Sequence, residues 1–154
     1  MTALPLDRDT VLRRMNGIQE DIRELETLSH ESYETFCDGV GFKLAQFHLH
    51  RALEGVFHIA SHLLSRIPGG QVTEYKAMAR KLGELKIVDR AFADESLVNM
   101  AGYRNRLVHF YAEITPMEMH KLLRHELHDI ETFLAAVKRV LERPEDFGIS
   151  ASSL

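Results

Sequence analysis

Apolar side chains recur at steps of three and four residues along most of this 154-residue chain. That spacing places them on one face of an α-helix, whereas a half-buried β-strand needs strict alternation. The sequence contains no sustained alternation, and no Asn-Gly or Asp-Gly turn joins two β-branched runs. The pattern therefore predicts an all-α fold, an antiparallel bundle of about five helices.

Turn, capping and breaker residues divide the apolar pattern into five predicted helices. Asp7 or Asp9 is suited to cap the first helix, and Gly39 and Gly41 are possible irregularities in the second. Thr73 resembles the N-cap of the third helix. The predicted helices span about 11–28, 33–64, 75–82, 90–110 and 116–143.

Length and composition predict one domain. With 45% hydrophobic and 27% charged residues, the chain can form one core like an ordinary globular protein. Its single cysteine, Cys37, excludes an intramolecular disulfide, and no apolar run reaches membrane length. No secretory signal is recognisable. We expect a cytoplasmic protein without membrane association, with one domain over residues 1–143 and a flexible tail over residues 144–154.

The negative charge of the chain is concentrated near its start. The net charge is -4, and residues 1–34 hold eight Asp and Glu against four Arg, whereas the remainder balances at 15 against 15. Broad wrapping of nucleic acid needs many phosphate contacts, which this charge disfavours. Any binding of nucleic acid is therefore expected at a confined basic site.

Residues suited to phosphodiester chemistry cluster in the octet RNRLVHFY at positions 104–111. A guanidinium forms paired hydrogen bonds with phosphate oxygens, and an imidazole exchanges a proton near neutral pH. Asn105 and His109 are four residues apart, so on a helix the amide can orient the imidazole. The octet indicates cleavage of a phosphodiester without a metal, with Arg104 as the phosphate ligand and His109 as the general acid or base.

The spacing within the octet leaves an alternative open. Arg104 and His109 are five residues apart, and a straight helix turns them about 140° away from each other. A helix break, a terminal turn or a second subunit must bring them together. In the alternative interpretation, Arg104 and Arg106 form surface ion pairs and His109 is a packed, hydrogen-bonded residue at a helix end.

Nine histidines raise the question of a metal site. His58 and His62 are four residues apart, but no cysteine pair and no His-Glu-x-x-His pattern accompanies them. Histidines at helical spacing more often lie on solvated or partly buried faces. We expect no metal site and no cofactor, so activity should survive chelators.

Residues 97–111 closely resemble the signature of the HepT family of the HEPN superfamily. The family pattern is Arg, four residues, His, any residue and Tyr, commonly with Asn or Asp after the Arg. The similarity extends through the flanking stretches 50–63 and 115–134 and covers about residues 44–141. The matching motif positions are Arg104, Asn105, His109 and Tyr111.

The resemblance implies a HEPN-type bundle acting as the toxin ribonuclease of a type VII toxin–antitoxin module. It further implies a homodimer that cleaves RNA, with Arg104, Asn105 and His109 as catalytic residues. The implied partner is an MntA-like minimal nucleotidyltransferase that adenylylates Tyr111. Arg106 and Arg51 are candidate ligands of RNA phosphate. The alternative function is a non-catalytic helical module that presents nucleotide or substrate to a nucleotidyltransferase.

Overall fold

The computed structural model describes residues 4–109 and 113–150. Within these residues the backbone forms helices and turns and no strand, so the predicted all-α fold is confirmed. None of the described helices combines the length and apolarity that a membrane span requires. The elements in chain order are α1 (Arg8–Ser29), α2 (Tyr33–Asp38), α3 (Gly41–Ser65), α4 (Tyr75–Glu84), α5 (Arg90–Phe92), a π-helical turn (Ala93–Leu97), α6 (Val98–His109), α7 (Pro116–His125), α8 (Leu127–Glu142) and a 3-10 turn (Pro144–Phe147).

Helix α1 forms as its sequence predicts. The Asp7 carboxylate accepts hydrogen bonds from the backbone N–H of Thr10 at 3.1 Å and from its hydroxyl at 2.7 Å, which caps the helix. These bonds lower the pKa of Asp7. The predicted apolar stripe is buried, and α1 packs along α3. The buried residues of this stripe are Val11, Met15, Ile18, Ile22, Leu25 and Leu28.

Two glycines set how closely the helices around α6 approach each other. A Cβ at Gly55 would lie 2.7 Å from Ile18 Cγ1, so α1 and α3 can cross at this separation only with glycine. A Cβ at Gly83 would lie 2.6 Å from the Cβ of Ala93, where α4 meets the π-helical turn. These contacts fix α3 and α4, which both pack against α6.

Two predicted helices are each divided in the structure. The second ends as α2 at Asp38 and resumes as α3, which places the break at Gly39. The last was predicted as one helix, and this is wrong because the backbone turns at Glu126. The turn lets α7 pack on α2 and α3 as well as on α1, while α8 packs on α1. Thr73 is also not an N-cap, since α4 begins one residue later with Glu74 in the capping position.

One face of α3 is apolar but exposed. Val40, Leu44 and Phe47 belong to the apolar periodicity of the second predicted helix, yet they are 66%, 42% and 53% exposed. They are exposed because α3 has apolar residues on more than one face, and the core covers the face with Leu49 and Val56. No described element covers the other face.

Residues 144–150 pack against the bundle. Pro144 and Ile149 are buried, and the backbone N–H of Leu6 donates to the carbonyl of Ser150 at 2.9 Å. The apolar residues of this described stretch join the core, and the flexible tail expected over residues 144–154 stays a prediction. Residues 151–154 lie outside the described residues, and the boundary at 143 stays a prediction.

Candidate active site

Helix α6 carries the motif without interruption as far as its last residue, His109. Arg104 and Asn105 are partly buried and His109 is exposed. Because no break separates Arg104 from His109, their side chains leave the helix about 140° apart and about 7.5 Å apart along its axis. The π-helical turn precedes the motif and does not alter this relation. Tyr111 lies outside the described residues.

Arg104 is held on several sides. Its Nε donates a hydrogen bond to Glu54 Oε1, and its Nη1 donates to Asn105 Oδ1 at 3.3 Å. Its guanidinium carbon lies 4.2 Å from the centre of the Tyr75 ring, a cation–π contact. Only 20% of the Arg104 side chain is exposed. The guanidinium is therefore fixed by residues of α3, α4 and α6.

Glu54 connects Arg104 to two histidines on its own helix. His50 Nε2 lies 3.7 Å from Glu54 Oε1, and His58 Nε2 lies 3.7 Å from Glu54 Oε2. These separations exceed hydrogen-bonding distance, so the two histidines are neighbours of the carboxylate without a direct hydrogen bond to it. His50, Glu54 and His58 occupy one face of α3 because each is four residues from the next.

The hydrogen bond between Arg14 and His58 fixes a histidine tautomer. Arg14 Nη1 lies 2.9 Å from His58 Nδ1. A guanidinium only donates, so Nδ1 must accept and the ring proton must be on Nε2, which faces Glu54. Side chains of α1, α3 and α6 thus follow one another in the order Arg14, His58, Glu54 and Arg104.

Tyr75 forms the floor beneath Arg104. Its ring stacks on Phe57 with a centroid separation of 4.8 Å, which fixes its plane against the core. Burial raises the pKa of Tyr75, and the negative charge of Glu54 raises it further. The phenol is neutral at physiological pH.

Arg106 forms a different kind of ion pair. Its Nη1 and Nη2 donate to the two carboxylate oxygens of Glu118 at 2.7 and 2.8 Å. The hydrogen bonds lower the pKa of Glu118 and raise that of Arg106. The backbone N–H of Glu118 donates to the Thr115 hydroxyl that caps α7. Arg106 therefore ties the end of α6 to the start of α7.

Arg51 is more exposed than the motif arginines. Its side chain is 53% exposed, and its Nε lies 3.7 Å from Oδ2 of the buried Asp21. Asp21 Oδ1 also accepts a hydrogen bond from His48 Nδ1 at 2.8 Å. The Arg51 guanidinium lies 5.4 Å from the centre of the Phe47 ring. Arg51 is thus accessible to solvent on the same helix as Glu54.

Three residues of this region were absent from the sequence prediction. Glu54 and Tyr75 hold Arg104, and Glu118 holds Arg106. The spacing of Glu54 from His50 and His58 is visible in the sequence, but its contact with Arg104 joins positions 50 residues apart. Both motif arginines have carboxylate partners, as the alternative interpretation predicted for them. Among the described residues, no three His, Cys, Asp or Glu side chains converge to hold a metal ion.

A family model described as ribonuclease HepT-like matches residues 18–137. A tri-AMPylated Shewanella oneidensis HEPN toxin in complex with MNT antitoxin is 21% identical, with a TM-score of 0.77 over 86% of this chain and 98% of that chain. A mutant of the toxin–antitoxin MntA-HepT is 21% identical, with a TM-score of 0.75 over 86% and 99%. A toxin–antitoxin with AMP-PNP is 20% identical, with a TM-score of 0.75 over 84% and 98%. No curated protein matches the chain. The structural likenesses establish the fold.

Proposed function

We propose, because this chain belongs to the HepT-like ribonuclease family, that it is a metal-independent endoribonuclease and the toxin of a toxin–antitoxin module. The observation that carries the proposal is the fixed guanidinium of Arg104, held by Glu54 and Tyr75 on the helix that ends at His109. The HEPN toxins with this fold support the toxin role.

The chemistry needs a proton carrier and a cation. In RNA cleavage without a metal, the 2′-hydroxyl attacks the adjacent phosphorus and the 5′-oxygen leaves, which yields a cyclic phosphate. We assign His109 to take or give a proton and Arg104 to stabilise the charge that develops on the phosphate oxygens. Asn105 accepts a hydrogen bond from Arg104, so we assign it as the residue that orients the Arg104 guanidinium.

The bonding of Arg104 indicates which of its donors meets the phosphate. Nε is bound to Glu54 and Nη1 to Asn105. Neither of these two hydrogen bonds uses Nη2, and the Tyr75 hydroxyl is a further hydrogen-bond partner of the guanidinium. We assign Nη2 as the donor to a phosphate oxygen. Arg106, which the sequence also suggested as a phosphate ligand, has its two terminal nitrogens bound to Glu118.

We propose that the complete site forms between two copies of the chain. Arg104 and His109 diverge on one uninterrupted helix. We therefore propose that the Arg104 of one copy acts together with the His109 of the other copy. The α3 face that carries Glu54 also carries Leu44 and Phe47 at helical spacing, both exposed. A second copy covering these apolar side chains would lie directly beside the cluster formed by Arg104, Glu54 and Tyr75, called the Arg104 cluster below.

Mixing two inactive variants tests this arrangement. Arg104→Ala and His109→Ala subunits that are unfolded and refolded together would form mixed dimers with one intact site composed across the interface. A statistical mixture would then recover about one quarter of wild-type activity. Recovery of no activity, with mixed dimers demonstrated by mass, would place the complete site within a single chain.

We propose further that an MntA-like nucleotidyltransferase neutralises the toxin at Tyr111. The phenol oxygen would attack the α-phosphorus of ATP, with release of pyrophosphate and a proton. The AMP-modified state of the Shewanella oneidensis toxin supports this step. AMP two residues after His109 adds bulk and a phosphate charge that competes with RNA for the nearby cations. Tyr111→Phe should keep toxicity but resist neutralisation, as shown by growth and by intact mass.

Growth on expression of the isolated protein separates the proposed function from its alternative. The ribonuclease predicts growth arrest by wild type and normal growth with Arg104→Ala or His109→Ala at equal expression. The non-catalytic module is favoured by one observation, the carboxylate partner of each motif arginine. It predicts no arrest from any of the three proteins, together with stable binding to the nucleotidyltransferase.

A further inference from the structure

A groove of about 460 Å³ runs between α1 and α3, next to the Arg104 cluster. Gly17 leaves its wall open, because a Cβ there would meet no atom within 4 Å. The two helices cross closely at Gly55 and Ile18, which both line the groove. The lining residues used below are Arg13, Arg14, Arg51, Asp21, Glu54 and His58.

The groove has an excess of positive charge. Its two carboxylates already have cationic partners, since Asp21 lies beside Arg51 and Glu54 binds Arg104. Arg13 and Arg14 therefore have no carboxylate partner among the residues that line the groove. Both side chains are exposed. Asp7 interacts with Arg13 from outside the groove, so Arg14 is the cation that an entering anion meets with no ion-pair partner among the lining groups.

Arg14 is positioned by a neutral group. It donates to His58 Nδ1 at 2.9 Å, and an imidazole that accepts from a guanidinium carries no charge. The bond therefore holds the guanidinium in place without cancelling its charge. This arrangement contrasts with that of Arg106, whose charge is compensated by Glu118 at two points.

The length of the groove indicates the class of anion. Its lining on α1 runs from Thr10 to Asp21, which corresponds to about 16 Å along the helix axis. A single phosphate would occupy a fraction of this length, whereas consecutive phosphates of a polynucleotide would fill it. Because Glu54 lines the groove and also binds Arg104, a strand in the groove would continue to the proposed cleavage position.

We infer that this groove binds the phosphodiester backbone of single-stranded RNA beside the scissile bond, with Arg14 and Arg13 as phosphate ligands next to Arg51. The inference rests on the proposed ribonuclease function and adds to it a path for the substrate. Arg13 and Arg14 line the groove itself, whereas Glu20 and Glu24 line a neighbouring depression that meets the groove at Asp21 and Arg51.

The test measures RNA binding in a His109→Ala background, which keeps the RNA intact. A labelled single strand of about twelve nucleotides is titrated at several salt concentrations against Arg14→Ala, Arg14→Lys and Lys138→Ala. Lys138 is a matched control because it is a cation that borders a groove on the opposite side of α1. Thermal melting of each variant checks that it is folded.

We expect Arg14→Ala to weaken binding about threefold to tenfold at low salt and to reduce the salt slope by about 0.7, the value for one phosphate contact on a single strand. Arg14→Lys should retain most of the slope, and Lys138→Ala should bind like the parent. Equal binding by Arg14→Ala and Lys138→Ala would overturn the inference. Loss of slope in Arg14→Lys as large as in Arg14→Ala would also overturn it, because the effect would not follow charge.

Two further measurements separate this inference from the proposed function. If unmodified wild type cleaves RNA while Arg14→Ala binds normally, the groove assignment fails and the ribonuclease stands. If wild type cleaves no RNA but the salt slope depends on Arg14, the groove stands and the ribonuclease fails. Displacement of the RNA by an equal concentration of ATP would assign the groove to a free nucleotide and overturn the RNA path.

Discussion

Arg104 and Arg106 lie two residues apart on α6, and each binds a carboxylate, but they occupy different environments. Arg106 binds Glu118 through both terminal nitrogens, and the pair is about one-third exposed. Arg104 binds Glu54 through Nε only, stacks on Tyr75 and adjoins a groove with excess positive charge. The first arrangement uses both terminal nitrogens of the arginine to join two helices, and the second uses only Nε of the arginine for its carboxylate.

We propose from this difference that Arg106 is structural and that Arg104, despite its carboxylate partner, acts in catalysis. Glu54 also lies 3.7 Å from the Nε2 atoms of both His50 and His58, so Arg104 is one of several neighbours of this carboxylate. Glu118 has Arg106 as its main partner, and this hydrogen bond dominates the lowering of its pKa. We therefore expect substitutions at Arg104 to change activity and substitutions at Arg106 to change stability.

The largest expected effect is that of Arg104→Ala on RNA cleavage. The variant should lose at least about a thousandfold in kcat, because it removes the cation assigned to the phosphate oxygens. Arg104→Lys should recover little, since a point charge cannot bind Glu54 and a phosphate oxygen with the same planar geometry. Initial rates and melting temperatures of both variants would be measured. Wild-type activity in Arg104→Ala would remove the distinction between the two arginines.

Glu54→Gln should lower kcat about tenfold to a hundredfold while changing KM little. The amide keeps the shape and one acceptor, but it loses the charge that orients Arg104, and small displacements at a reacting centre are costly. Glu84→Gln is a suitable control because Glu84 is exposed and pairs with Lys81 away from the motif. An increase in KM alone would indicate that Glu54 affects RNA binding and not the position of Arg104.

Arg106→Ala tests whether Arg106 contributes to stability and not to catalysis. It should lower the free energy of unfolding by about 0.5–1 kcal/mol, the range for a partly exposed ion pair, and lower Tm by a few degrees. Its kcat should stay within about threefold of wild type. If Arg106 is instead a ligand of RNA phosphate, Arg106→Ala would cleave RNA more slowly, and its RNA binding would depend less on salt. Its Tm would be unchanged.

The Arg106–Glu118 pair also predicts the smallest effect, a dependence of stability on pH. Because Arg106 lowers the folded-state pKa of Glu118, the pair stabilises the fold fully above the unfolded pKa of about 4.3. This stabilisation is lost as the pH falls through the lower folded-state pKa. A double-mutant cycle of Arg106→Ala and Glu118→Gln should therefore give its full coupling at pH 7 and a vanishing coupling near pH 2.5. A coupling that is constant with pH would contradict the assignment.

Local features were predictable from the sequence because neighbouring residues determine them. The Asp7 cap and the buried stripe of α1 follow from short-range hydrogen bonding and helical spacing. The exposure of Leu44 and Phe47 did not follow, because spacing assigns a residue to a face and not to a neighbour that covers it.

The surroundings of the motif depend on packing between residues far apart in the sequence, so they could not be predicted from the sequence. The sequence predicted that Arg104 and His109 must diverge on a straight helix, and α6 is uninterrupted between them. It did not predict the contact of Glu54 with Arg104, which requires α3 to lie beside α6. The acidic total of residues 1–34 also concealed the position of Arg14 in a groove beside α3.

RNA cleavage by the purified, unmodified protein in EDTA tests the central claim most directly. Wild type is compared with His109→Ala on cellular RNA and on an RNA that carries a deoxyribose at the scissile position. We predict cleavage by wild type alone, ending in a cyclic phosphate and lost on the deoxyribose substrate. Equal cleavage by His109→Ala, or no cleavage of any RNA by wild type, would contradict the account.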